Sequence, residues 1–218
     1  LYILDPEDLT KETFVTNLGM RLTDLAYNDK TKELYGVNNS NELVLIDKLR
    51  GTAKVLGVIG KDIGISVNTL ACDNEGNFYT VSYGNGYSKK PGIVFTFTLE
   101  NIAKPEQVTS QGYFNNYIQA LEVNPNNGLL YWASYYDTST ETRSNLKAVL
   151  YEINPKTGEI TTLNDFQTQL TSLCIPEKNS GSNWYDPTDE IASMELNTEQ
   201  LRLLAGTRQQ LSAIVLPW

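Results

Sequence analysis

The 218-residue sequence contains no histidine. Histidine is the commonest general base near neutral pH and a frequent metal ligand, so its absence excludes Ser-His-Asp triads and His-ligated metal centres. A glycine-rich phosphate loop of the P-loop type is missing too. The catalytic chemistry still open to the chain is that of carboxylates, because a pair of Asp or Glu side chains can serve glycoside hydrolysis.

Basic residues and long apolar runs are also scarce. The chain has 17 Lys and Arg residues against 26 Asp and Glu residues, which gives a net charge of -9. A negative chain without a basic patch repels phosphate backbones, so we predict that it does not bind nucleic acid. No apolar run approaches the roughly 18 residues that a membrane-spanning helix needs, and we predict no membrane insertion within this segment.

What the chain does contain is a repeat. Four segments share one apolar pattern, and their central leucines lie roughly 45 to 52 residues apart: 22–27, 67–72, 118–123 and 170–175. Each of the first three is followed by a polar turn and a second apolar strand with a tyrosine. Later apolar residues alternate with period two, as strands require. Four short antiparallel strands per repeat are typical of a propeller blade, so the pattern predicts an all-β fold, a β-propeller.

The repeat is out of phase with the ends of the chain. Residues 1–6 align with 150–155, a third strand, so the sequence opens inside a blade. Three complete four-stranded blades follow, and 170–175 is a lone first strand. Two interpretations remain open: a four-blade ring whose missing strand precedes Leu1, or a larger ring that lacks several blades. Both predict a β-propeller fragment over 1–176 that is truncated at its N-terminus, with partial first and last blades.

Two resemblances follow from these segments. Strands such as 33–38 followed by 43–47 resemble YVTN-like propeller repeats, a similarity that covers 1–176 and supports the fold more than a function. Residues 191–218 resemble the start of a group 2 bacterial immunoglobulin-like domain, with its Leu-Asn strand end, Gly turn and Gln-Leu-x-Ala-x-Val-x-Pro strand. This implies an incomplete Ig-like sandwich after a linker at 177–190. It also implies an extracellular or cell-surface, bacterial location.

Cysteines and acidic turns are interpreted as structural. Cys72 and Cys174 occupy first strands two blades apart, so we predict small apolar core residues rather than a disulfide or metal site. The turns after the first strands are rich in Asx and Gly, which cap hairpins. Asp73, Glu75 and Asn77 have a weak similarity to a calcium loop but lack its spacing. We therefore predict no metal and no cofactor.

The candidate site lies in the loops of one rim, which join second to third strands and one blade to the next. In the second and third blades these loops lengthen and gather tyrosines beside Asn, Ser and Gly. Such tyrosines either pack their own loops or form an amphipathic surface for sugars and peptides. The predicted ligand-binding residues are Tyr83, Tyr87, Tyr113, Phe114, Tyr117, Tyr135, Tyr136, Asp137 and Arg143.

These features favour an extracellular binding or adhesion module that holds a glycan or protein ligand on its loop-rich face. One alternative is a carbohydrate-active hydrolase or lyase that uses rim acids, or an accessory propeller of a larger enzyme; the candidate acids are Asp62, Asp137, Glu141 and Asp165. Another is a structural spacer, which gains nothing from lengthening one rim. We assign no catalytic residue, and the oligomeric state stays open.

Overall fold

The computed structural model describes residues 1–5, 8–82, 92–110, 112, 119–137, 146–166, 168–175, 191–196 and 213–217. These residues form strands and turns, and none of them lies in a helix that could span a membrane. The chain divides into two compact units, Leu1–Ile175 and Pro176–Trp218.

The first unit begins with a two-stranded sheet of β1 (Tyr2–Asp5) and β2 (Asp8–Phe14). Three four-stranded antiparallel sheets follow, each with its strands in chain order. The first contains β3 (Leu22–Asn28), β4 (Glu33–Asn38), β5 (Glu42–Asp47) and β6 (Thr52–Val58). The second contains β7 (Ala71–Cys72), β8 (Phe78–Val81), β9 (Val94–Phe97) and β10 (Glu106–Gln107). The third contains β11 (Ala120–Val123), β12 (Leu130–Asp137), β13 (Leu146–Ile153) and β14 (Ile160–Phe166).

The sheets are neighbours through their first strands, since β3 contacts β7 and β7 contacts β11. One buried apolar cluster joins the first sheet to the second, and another joins the second to the third. Leu70 and Leu121, at the same repeat position, belong to these clusters and are 0% and 3% exposed. This arrangement confirms the predicted all-β, propeller-like fold with three complete four-stranded blades.

One predicted strand does not form. Residues 170–175 carry the apolar pattern of a first strand, yet the structure places them outside any strand. In the three complete sheets the first strand is held by hydrogen bonds to the second. No described residue supplies such a second strand beside 170–175, and a pattern without a pairing partner does not make a ladder.

Polar turns close the hairpins as the sequence predicts. The side-chain oxygen of Asn28 accepts hydrogen bonds from the N–H groups of Lys30 and Thr31, both at 3.0 Å. Asp73 accepts in the same way from the N–H groups of Glu75 and Asn77, and its second oxygen accepts from the Tyr79 hydroxyl at 3.2 Å. Because the Asp73 carboxylate is engaged within its own turn, these contacts fit the hairpin interpretation rather than a calcium loop.

The repeated tyrosine is a structural residue. Tyr35, Tyr79 and Tyr131 lie opposite the first strand of their own sheet. Each hydroxyl donates a hydrogen bond to a carboxylate: to Glu33 at 2.7 Å, Asp73 at 3.2 Å and Glu152 at 2.7 Å. Burial, followed by these carboxylates, raises the pKa of all three phenols. The rings of Tyr35 and Tyr79 therefore fill the apolar clusters while their hydroxyls keep a polar partner, and the half-buried Tyr131 makes the same kind of hydrogen bond.

The two cysteines are free thiols in different surroundings. Cys72 is buried in the cluster between the first and second sheets, as predicted for a small apolar core residue, and burial raises its pKa to about 12. Cys174 is exposed, so the prediction of a core position is wrong for it. The reason is that none of the described strands pairs with its segment, 170–175.

The second unit is described over two strands, β15 (Ile191–Leu196) and β16 (Ala213–Pro217), which pair antiparallel. They coincide with two of the segments that the Ig-like resemblance predicts as strands. The third, 201–206, and the linker at 177–190 lie outside the described residues. The Ig-like assignment stays a prediction.

Candidate functional site

The structure describes only part of the predicted rim surface. Tyr135 and Tyr136 are described with their side chains, and Asp137 is described as a backbone position at the end of β12. The remaining predicted residues lie outside the described residues: Tyr83, Tyr87, Tyr113, Phe114, Tyr117 and Arg143.

Tyr135 and Tyr136 follow one another near the end of β12, so they point to opposite faces of the third sheet. Tyr136 packs against the core cluster shared by the second and third sheets. Burial, and then the negative charge of Asp165, raises the pKa of Tyr136. Tyr135 is on the other face of the sheet, where it pairs with Ala148 of β13, and it is partly exposed. Of the two, Tyr136 is the residue that packs against this core, and Tyr135 keeps part of its surface exposed.

Beneath the rim, the ends of the sheets are unusually polar. Of the eight buried polar residues in the described part of the chain, all but Asn28 lie in the rim half of a strand or in the segment that joins a strand to a rim loop. We call these seven residues the rim-end polar layer: Asn38, Asn68, Thr69, Thr80, Thr109, Gln119 and Ser134. Burying a polar group costs free energy unless a hydrogen bond compensates, so the contacts of this layer indicate what it does.

Several members of the layer replace or extend the backbone ladder. The Thr69 hydroxyl accepts a hydrogen bond from the Val81 N–H at 2.8 Å, and the Thr80 hydroxyl donates to the Thr69 carbonyl at 2.7 Å. The Thr109 hydroxyl accepts from the Val94 N–H at 3.2 Å. These bonds explain why β7 is shorter than the predicted strand at 67–72, since a side chain takes over the pairing there. They also fix the strand ends from which the long loops of the second blade depart.

Gln119 and Trp132 continue the layer into the third sheet. The indole N–H of Trp132 donates to Gln119 Oε1 at 2.6 Å, and both side chains are fully buried. Gln119 directly precedes β11, at the end of the loop that joins the second blade to the third. The hydrogen bond therefore anchors the base of this loop to the core.

The rim loop of the first blade is short and closed. Asn41 adopts a positive φ of 60°, its Oδ1 accepts from the Val67 N–H at 3.0 Å, and its Nδ2 donates to the Ile65 carbonyl at 2.8 Å. These contacts tie the loop to the segment that enters the second blade. The first blade thus contributes a short, tied loop to the rim, whereas the second and third blades contribute the long loops.

A pair of inner carboxyl groups escaped the sequence prediction. Asp24 Oδ2 accepts a hydrogen bond from the Leu70 N–H of the next blade, and Oδ1 accepts from the Leu25 N–H, both at 2.9 Å. Burial, partly offset by these bonds, raises the pKa of Asp24 to about 8, and the charge of Glu122 adds to the rise. Burial also raises the pKa of Glu122 to about 7. The signal was available, because Glu122 stands where the other first strands have Ala26 and Ala71.

The acids predicted for catalysis are placed differently. Asp62 is exposed in the segment after β6 of the first sheet, and Asp165 is exposed on β14, the outer strand of the third sheet. Glu141 and the Asp137 side chain lie outside the described residues. The described carboxyls that influence each other are instead Asp24 and Glu122. Among the described residues, no third His, Cys, Asp or Glu joins them in a cluster suited to a metal.

These inner carboxyls predict an unusual pH dependence. We expect the free energy of unfolding to fall, on the order of 2 kcal/mol, as pH rises from about 4 to about 8, because folded Asp24 and Glu122 keep protons that the unfolded chain has lost. The pKa of Asp47 is lowered by hydrogen bonds from the Arg50 and Leu49 N–H groups, so Asp47 changes the free energy of unfolding only at more acidic pH. Urea unfolding at a series of pH values measures the effect. A stability that rises steadily over this range contradicts the assignment.

Comparison with known proteins does not assign this chain to a family. No protein-family model matches the sequence, and no curated protein matches it significantly. The crystal structure of Saccharomyces cerevisiae Sqt1 is similar at a TM-score of 0.39 and 13% identity, over 72% of this chain and 38% of that one. The crystal structure of the tricorn protease is similar at 0.36 and 14% identity, over 66% and 14%. The chain thus spans well under two thirds of either structure, and neither similarity bears on activity.

Proposed function

We propose that the chain is an extracellular binding or adhesion module that holds a glycan or protein ligand on the loop-rich rim of its propeller. The observation that carries this proposal is the rim-end polar layer. In the second blade it ties down the strand ends through Thr69 and Thr109, and in the third it anchors the loop base through Gln119. These bonds fix the strand ends from which the loops depart, and binding residues concentrate on loops held by rigid scaffolds.

The chemistry of the rim indicates the class of ligand. Tyr135 is partly exposed where the third blade meets its long loop, and the neighbouring loops add further tyrosines with Asn, Ser and Gly. A tyrosine ring stacks on a sugar ring or an apolar side chain, and its hydroxyl forms a hydrogen bond at the same time. The extracellular location is supported by the Ig-like resemblance of 191–218.

Joint replacement of Tyr83, Tyr87, Tyr113 and Tyr135 with alanine tests the proposal. We expect glycan-array or pull-down binding to weaken at least about tenfold, because aromatic side chains contribute most of the energy at such surfaces. The control replaces Tyr27, which is 40% exposed and lies beside the turn between β3 and β4, at the end of the first sheet opposite the rim. Circular dichroism verifies that both variants fold. Unchanged binding by the rim variant, or equal losses in both, would refute the rim as the site.

A carbohydrate-active hydrolase or lyase, or an accessory propeller of a larger enzyme, stays the alternative. It depends on rim acids such as Asp137 and Glu141. Turnover of a polysaccharide panel by the full chain, lost when these acids are replaced by their amides, would favour the hydrolase or lyase over the binding module.

A further inference from the structure

The sheet of β1 and β2 has a free edge along β1. Strand β1 pairs with β2 on one side, and no other described strand pairs with it. The Leu1 amine donates a hydrogen bond to the Thr16 carbonyl at 2.8 Å, and the Leu1 carbonyl accepts one from the Val15 N–H at 3.0 Å. Bonded residues alternate along an antiparallel strand, so the N–H and C=O groups of Tyr2 and Leu4 face away from β2, along the free edge.

The side chains beside this edge are apolar and exposed. Tyr2 and Ile3 are 53% and 60% exposed, whereas Tyr151, which aligns with Tyr2 in the repeat, is 5% exposed within the complete third sheet. Phe14 of β2 is 59% exposed, and its ring packs edge-on against that of Tyr2 with 5.3 Å between the ring centroids. Contiguous exposed apolar residues of this kind are typical of an interaction surface.

The edge also lacks the charges that commonly keep strand edges apart. The outer strands β2 and β6 each carry an exposed lysine, Lys11 and Lys54. Strand β1 contains no Lys, Arg or Pro, and its one charged residue is Asp5 at its end. A free edge without such protection is a template for pairing with another strand.

We propose that this edge is a dimerisation surface, at which β1 of a second copy pairs antiparallel about a twofold axis between the two Ile3 residues. The N–H and C=O groups of Tyr2 then bond to those of Leu4 in the second copy, and those of Leu4 to Tyr2. The two copies together form a four-stranded sheet in the order β2–β1–β1–β2. The inference concerns β1 and does not depend on the ligand at the rim.

A second copy fits this edge because the strand is complementary to itself. A twofold interface requires that the same residues serve both partners, and pairing Tyr2 with Leu4 about Ile3 meets this requirement. The two Asp5 side chains then lie at opposite ends, about 14 Å apart along the strands. That separation exceeds the Debye length of roughly 8 Å at physiological ionic strength, so their repulsion is screened. The apolar residues of the two edges meet in the middle.

Sedimentation equilibrium of the full chain tests the proposal. We expect a monomer–dimer equilibrium between about 1 µM and about 1 mM, since a single strand edge buries little area. Added salt should strengthen the dimer, because each copy carries a net charge of -9. Ile3→Lys places two like charges opposite each other at the axis and should weaken dimerisation at least about tenfold. The matched control is Thr13→Lys, at the exposed β2 residue that pairs with Ile3 one strand away from the axis, and it should leave dimerisation nearly unchanged.

Hydrogen exchange at the Tyr2 and Leu4 amides gives a second readout. Their protection factors should rise with protein concentration, whereas that of the Ile3 amide, which faces β2, should stay constant. Protection of Tyr2 and Leu4 that does not depend on concentration would mean that another strand of the same chain covers the edge, and it overturns the proposal. So does a chain that stays monomeric up to about 1 mM, or a dimer that Ile3→Lys leaves intact.

Discussion

Replacement of Trp132 with alanine is expected to lower the free energy of unfolding by about 3–5 kcal/mol. Trp132 is 0% exposed and is the largest side chain in the core between the second and third sheets. Its ring lies 5.2 Å from that of Tyr151, and its indole N–H donates to Gln119. Alanine removes the apolar contacts and leaves a cavity. It also removes the N–H group whose hydrogen bond the buried Gln119 oxygen accepts.

Two control variants separate these contributions. Trp132→Phe keeps most of the ring but loses the N–H, and should cost about 1–3 kcal/mol. Phe14→Ala removes an aromatic ring that is 59% exposed and should cost less than about 1 kcal/mol. Urea unfolding followed by far-ultraviolet circular dichroism measures all three without relying on tryptophan fluorescence. A loss below about 1 kcal/mol for Trp132→Ala would mean that this core is not packed as described.

Leu70→Ala and Leu25→Ala should differ sharply although the two leucines occupy the same repeat position. Leu70 is 0% exposed in the cluster between the first and second sheets, and its loss should cost about 2–5 kcal/mol. Leu25 is 43% exposed on the first strand of the first blade, and its loss should cost less than about 1 kcal/mol. The chemical change is identical, so the difference in unfolding free energy measures the contribution of the neighbouring blade.

Leu121→Ala supplies an internal check. Leu121 shares the repeat position, is 3% exposed and packs between the second and third sheets, so its loss should resemble that of Leu70. Both losses are measured from urea unfolding curves. Equal losses for Leu25 and Leu70 would contradict the described contacts, because they would require the first blade to be covered on both faces.

Much of the fold could be predicted because its signals are local in sequence. Alternating apolar residues specify strands, and Asx residues such as Asn28 and Asp73 close hairpins through bonds to their own backbone. The rim site could be predicted only as loops of unusual length and composition. The rim-end polar layer was missed, since a threonine such as Thr69 in an apolar strand looks like any strand residue until its partner, Val81, is known.

Charged residues within the first strands show the same limit. Asp24 and Glu122 are visible in the sequence as departures from an apolar repeat, but their positions there do not show which groups they approach. Their proton affinity depends on burial and on each other, and they belong to sheets that are about one hundred residues apart in the chain. Cys174 gives the converse case: it shares the repeat pattern but is exposed, because no strand in the described part of the chain pairs with its segment.

The sequence by itself determined that this chain is an all-β repeat of four-stranded units with one enriched rim, because period-two patterning and turn chemistry act between residues close in the chain. Only the tertiary structure decided which of the equivalent leucines are buried, which tyrosines are structural, and which carboxyls retain a proton. Those properties arise where different blades meet. Burial, hydrogen bonding and electrostatic interaction across such a junction depend on distances in space, which the order of residues alone does not specify.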